Sequence, residues 1–87
     1  MKKLVKVEEV ELEGLISLMG KRITLYCLNY IYAGDLVGVN EKYVKLENAG
    51  IVYETGSHDS KEWKDYQKFP NDWYVQTTAI ESFGKFK

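Results

Sequence analysis

The spacing of apolar positions changes once along the chain, and the change divides it into a helical and an extended part. From Glu11 to Met19, the residues Leu12, Leu15, Ile16 and Met19 fall at i, i+3, i+4 and i+7, which gathers them into one stripe on a helix. Glu8, Glu9, Glu11 and Glu13 crowd its start, where the helix dipole favours negative charge, and Gly20 followed by Lys21 and Arg22 reads as its stop. The pattern predicts a short N-terminal helix over 11–19, with Gly14 inside it as a cost. Ahead of it, Val5 and Val7 alternate with lysines, a pattern that also suits a brief extended arm.

From Ile23 onward the period is two. Ile23, Leu25 and Cys27 alternate with Thr24, Tyr26 and Leu28 in a β-branched and aromatic stretch, which predicts a strand. Asn29-Tyr30 turns the chain into a second strand, Ile31 to Val39, whose Gly34 and Gly38 mark a bulge or a sharp bend. After the turn Asn40-Glu41-Lys42, alternation resumes at Tyr43 to Glu47. Asn48-Ala49-Gly50 interrupts it, and Ile51 to Glu54 either extends the strand past a bulge or starts another piece. The stretch 55–72 is polar and holds Gly56, Pro70 and Asn71, so it reads as an excursion from the sheet. Within it Ser60 is placed to cap a helical turn presenting Trp63, Tyr66 and Phe69 on one side. Trp73 to Thr78 and Ala79 to Phe83 read as a fourth and a fifth strand. The expected chain is mainly β: one short helix, then five short, bent antiparallel strands, the first three of them a meander.

Composition narrows this picture. A chain of 87 residues is one domain spanning 1–87. A domain this small buries only about 60% of the surface its unfolded chain exposes, so oligomerisation is the natural supplement to its core. Lys+Arg 12 against Asp+Glu 13 leaves a net charge of -1, which supplies no global attraction to a polyanion, so any nucleic-acid contact is local. The single Cys27 excludes an internal disulfide framework and fits a reducing compartment. The N-terminal stretch is too broken by charge for a signal peptide, and no run is apolar enough for a membrane span. The expectation is a cytoplasmic protein without a membrane partner.

Helix, five bent strands, a glycine in strand two and a long connection before strand four form the layout of the Sm-like family, which includes Sm, LSm and Hfq proteins. The stretch from Gly20 to Asn40 resembles the first Sm motif: Gly20 precedes strand one, Gly34 bends strand two and Asn40 ends it. Leu46-Glu47-Asn48-Ala49 is similar to the end of that motif's third strand. Val75-Gln76-Thr77-Thr78-Ala79-Ile80-Glu81-Ser82-Phe83 is similar to the second motif in its bacterial form. The resemblance covers most of the chain outside 55–72. It implies an SH3-like barrel and a ring of roughly five to seven copies, in which strand four of one protomer pairs with strand five of the next. That assigns Trp73, Val75, Ile80 and Phe83 to the interface between copies. It also implies single-stranded RNA as a partner.

The departures from the family bear on that RNA. The family's uridine pocket uses an Asp-x-x-Met-Asn turn and an Arg-Gly pair. Here the turn is Asn40-Glu41-Lys42-Tyr43-Val44, and Thr77-Thr78 stand where the bacterial form has Lys-His. Tyr43 with Lys42 becomes the candidate pair for base stacking and phosphate contact, set against the plainer reading of two strand-surface residues. Asn40, Thr77 and Thr78 complete the candidate pocket. Lys21 and Arg22, repeated around a ring, would form a basic collar, or else a solvated pair of cations at a helix end.

The remaining residues that attract attention read structurally. His58 has no Cys or second His at ligand spacing and no motif-placed nucleophile beside it, so it reads as a surface histidine; no metal, cofactor or enzymatic activity is expected. Cys27 reads as a small core hydrophobe. Trp63, Tyr66 and Trp73 read as anchors holding the long loop on the barrel or on a neighbour. Two other functions stay open: a ring that meets protein partners through the 55–72 loop, and a monomeric SH3-like or Tudor-like module that binds a peptide.

Overall fold

A computed structural model describes residues 14–86. Six strands form one antiparallel sheet: β1 Arg22–Cys27, β2 Ile31–Val39, β3 Tyr43–Glu54, β4 Asp65–Lys68, β5 Trp73–Gln76 and β6 Ile80–Gly84. Their order is β4-β3-β2-β1-β6, and β5 pairs with β3 beyond the end of β4. The first three strands are the expected meander.

The sheet is strongly bent, and the bend is built from a bulge. Asp35 pairs with Glu47 and Ala33 with Gly50, so Asn48 and Ala49 together stand opposite Gly34. Asn48 takes a left-handed conformation at φ 48, tolerable for asparagine, and β3 runs on through the interruption as a single strand. Gly34 is needed at this crossing because a Cβ there would lie 2.8 Å from Ala49 Cβ and 3.1 Å from Leu46 Cβ. A second register shift falls between Leu36 and Gly38.

Partners in register share a face, so the pairing sorts the paired strand residues onto two sides. The concave side carries the core of Ile23, Leu25, Leu36, Val44, Leu46, Ala49 and Val75. Across the other side runs a row of small residues, Gly84, Thr24, Ala33 and Gly50, in direct register. Tyr66 of β4 fills part of that trough: a Cβ on Gly50 would sit 2.4 Å from its ring. Thr24 is buried in this row, and its hydroxyl has no hydrogen-bond partner among the described residues.

Three expectations are corrected. The helix over 11–19 begins outside the described residues, and its described part is a single 3₁₀ turn at Leu15–Leu18. Gly14 enters it at φ 70, Gly20 follows at φ 80, and Leu15 and Leu18, three apart as a 3₁₀ turn requires, pack on the core; Ile16 and Met19 are exposed. The 55–72 excursion holds the strand β4 where a helical turn was expected. Ser60 caps only a local turn, its hydroxyl accepting from the Glu62 N–H and donating to the Glu62 carbonyl. Strand four stops at Gln76, and Thr77–Ala79 form a 3₁₀ turn before β6. Six strands therefore replace the expected five.

Replacing Gly34 with alanine would force a methyl against Ala49 and Leu46 and should cost about 1–3 kcal/mol, read as a lower denaturant midpoint. Thr24→Val removes a buried hydroxyl without a partner among the described residues, and the same measurement should find the variant as stable as the parent or stabilised by about 1 kcal/mol.

Candidate functional site

The turn between β2 and β3 is closed by its own first residue. The Asn40 side-chain carbonyl accepts from the backbone N–H groups of Lys42 at 2.8 Å and Tyr43 at 2.9 Å, and its own N–H donates to the Tyr43 carbonyl at 3.0 Å. The 3₁₀ turn after β5 is bonded to this loop. Thr77 N–H donates to the Lys42 carbonyl at 2.9 Å, and the Thr77 hydroxyl donates to the Glu41 carbonyl at 2.7 Å. Asn40, Lys42 and Tyr43 thus meet the distant Thr77 at one end of the barrel, with Thr78 exposed beside it. Asn40 and Thr77 act there as positioning residues. Their polar atoms tie the two turns together, and the side chains presented outward are Lys42, Tyr43 and Thr78.

Tyr43 does not stand alone. Its ring meets that of Tyr74 edge to face, with centroids 5.3 Å apart and planes at 86°. The two rings and Gln76 line an open concavity of about 400 Å³. The Lys45 ammonium lies 5.8 Å from the Tyr74 centroid and 3.6 Å from the Asp72 carboxylate. The neighbouring Tyr74 phenol and then Asp72 hold Lys45 above the usual ammonium range, so it carries its charge throughout the physiological range. Sequence reading missed Tyr74, Lys45 and Gln76. Alternation around the buried Val75 puts Tyr74 and Gln76 on the outer face, but their placement beside Lys45 and Tyr43 depends on the β3–β5 register.

Lys21 and Arg22 belong to another region. The Arg22 guanidinium donates to Asp35 at 3.3 Å, to the Asn48 carbonyl at 2.9 Å and to the Tyr66 hydroxyl at 3.2 Å, while Asn48 donates to the other Asp35 oxygen at 3.1 Å. This clasp joins β1, β2, β3 and β4 across the bulge, so Arg22 is engaged within the fold. Lys21 is exposed and its backbone bonds to Leu18 and Leu36.

The expected interface residues lie along two strands with one neighbour each among the described strands: β5 pairs with β3 and β6 with β1. Trp73 and Phe83 are exposed, whereas Val75 is buried in its own core and Ile80 packs against that core. Between β5 and the β1–β2 turn lies a cleft of about 200 Å³, lined by residues including Leu28, Tyr30, Tyr32, Trp73 and Ala79 and by no charged side chain. An aromatic series borders it, with Tyr30–Tyr32 centroids at 6.4 Å, Tyr32–Phe69 at 6.2 Å and Phe69 stacked on Trp73 at 3.9 Å.

The long excursion packs on its own chain. Trp63 meets Phe86 at 5.5 Å and the exposed His58 meets it at 5.1 Å, while Phe86 also contacts Tyr26. The described residues contain no cluster of three metal-ligating side chains, and no helix among them is long and apolar enough to cross a membrane. Compared with known proteins, the sequence matches no protein-family model and no curated protein.

Cys27 lines the cleft and packs against the core, and burial pushes its thiol up from 9.0. Burial also raises Tyr32 above 10.0. A folded value above the unfolded one leaves stability intact below the unfolded value and removes it as pH rises through the folded one. Denaturant midpoints should therefore hold to about pH 9 and fall above it, and Cys27→Ala should remove the thiol part of that decline. Iodoacetamide should modify Cys27 more slowly than a free thiol at the same pH.

Proposed function

We propose that this chain is a non-catalytic, Sm-like subunit that assembles into a ring of roughly five to seven copies in the cytoplasm and binds single-stranded RNA at the joined turns 40–43 and 77–78. The observation that carries the reading is the pair of backbone and hydroxyl bonds from Thr77 to Lys42 and Glu41. They bring together residues that the Sm resemblance assigns to one RNA pocket. Lys42 then supplies the phosphate contact and Tyr43 a stacking face. The positioning role of Asn40 and Thr77 fits a pocket altered from the family's own.

Assembly is supported by the single-neighboured strands β5 and β6 and by the uncharged aromatic cleft between β5 and the β1–β2 turn. Pairing β5 of one copy with β6 of the next would satisfy both edges and cover part of that cleft. It would also place one Lys42 per copy around a common axis, concentrating cations that the net charge of -1 hides in the single chain.

The native mass in solution, measured without nuclease treatment, should be a discrete multiple of 10.1 kDa. Binding to short single-stranded RNA should weaken with rising salt, and Lys42→Glu should weaken it further and flatten the salt slope. A ring without salt-dependent RNA binding would favour protein partners, in keeping with the near-neutral charge. A stable monomer would sink the ring and turn attention to the aromatic cleft as a peptide groove.

A further inference from the structure

We infer that the corner made by Tyr43, Tyr74 and Gln76 receives one unpaired nucleobase of the bound strand, so that Tyr74 and Gln76 are contact residues of the RNA site. The inference rests on the RNA reading and extends it onto the outer face of β3 and β5. Two rings set edge to face at 86° form a T, and in its angle a planar base can stack on one ring while its edge meets the face of the other. The concavity of about 400 Å³ between them is open on its outer side, which suits a base entering from a strand. Gln76 lines it, and a carboxamide offers a donor and an acceptor side by side, the pairing pattern that base edges also present.

Cations flank the corner. Lys45 stands over Tyr74 and is fully charged, and Lys42 lies next to Tyr43 on the chain, so a sugar-phosphate backbone has an ammonium within reach of the base site. Tyr43 and Tyr74 are 41% and 55% exposed, large aromatic areas left in water on one patch. Lys45 is paired with Asp72, which keeps the patch close to neutral. Stacking then supplies most of the attraction, and the site takes a base carried by a strand held elsewhere more readily than a free, highly charged nucleotide.

The test compares the wild-type protein, Tyr74→Ala and Tyr53→Ala by fluorescence anisotropy with labelled oligouridine and oligoadenine. Tyr53 is an equally exposed tyrosine at the far end of β3 and serves as the control. Tyr74→Ala should weaken binding about fivefold or more, with Tyr53→Ala unchanged. Because Tyr74→Ala can also disturb the fold, the wild-type protein is cross-linked to a 4-thiouridine strand and the adducts are mapped; they should fall on Tyr74 or Tyr43. Wild-type binding that Lys42→Glu weakens and Tyr74→Ala does not, with adducts elsewhere, overturns the base corner and leaves the RNA reading standing. No binding by the wild-type protein overturns both. Uridine or adenosine monophosphate binding as tightly as the strands would also overturn the inference, making the corner a nucleotide site.

Discussion

The bend in β3 is the constraint on which the rest of the molecule depends. This strand must pair with β2 along one side while giving its other side first to β5 and then to β4. A flat strand of 12 residues with neighbours on both sides would extend an open sheet rather than enclose a core. The bulge at Asn48-Ala49 turns it, Gly34 lets the two backbones cross closely, and the Arg22 clasp fixes the crossing. Each bond of that clasp is partly exposed and individually modest, yet together they tie four strands at the bulge. The bend also divides β3 in two: its first half builds the candidate RNA site with β5, and its second supports β4.

That division explains why the candidate site is held more firmly than two surface turns would be by themselves. The β2–β3 turn is closed by Asn40, and the 3₁₀ turn after β5 is bonded to it through Thr77, so ordering the loops is done by folding. A ligand meeting Lys42 and Tyr43 has little loop entropy left to oppose it. The same bonds make the candidate site a defined place: its geometry comes from backbone and small polar groups, and its chemistry from what they present outward.

The extent to which this was legible in the sequence follows the range of the forces involved. The alternation of Ile23, Leu25 and Cys27, and that of Tyr43 to Glu47, is local and gave the first three strands, and Gly34 marked the bend. Strand β4 was hidden because Asp65-Tyr66-Gln67-Lys68 carries no apolar alternation; it pairs with β3, and Tyr66 finds room over Gly50, a residue 16 positions away. The helical reading of 11–19 counted Ile16 and Met19 as inward, but the described turn is 3₁₀ and turns Leu15 and Leu18 inward. Asn40, Lys42, Tyr43 and Thr77 were gathered by resemblance to a family, and the hydrogen bonds of the two turns give their proximity a physical cause. Tyr74 escaped because its significance comes only from register with Lys45.

Strand β5 is where assembly and recognition would otherwise compete, since four residues are asked to serve both. The pleat divides the tasks in part. Val75 points inward and is buried opposite Val44; Tyr74 and Gln76 point outward to the concavity; and the backbone edge, perpendicular to both, remains for a neighbouring strand. In the proposed ring, edge pairing uses main-chain groups and the aromatic cleft beside Trp73, and because Tyr74 and Gln76 line both that cleft and the concavity, the neighbour would stand against the residues that meet the ligand. Pairing would also hold β5 on both sides, and with it the angle between Tyr74 and Tyr43. Assembly would therefore strengthen base recognition without adding a contact to the base, because the rings that form the corner sit on the strand that the neighbour fixes.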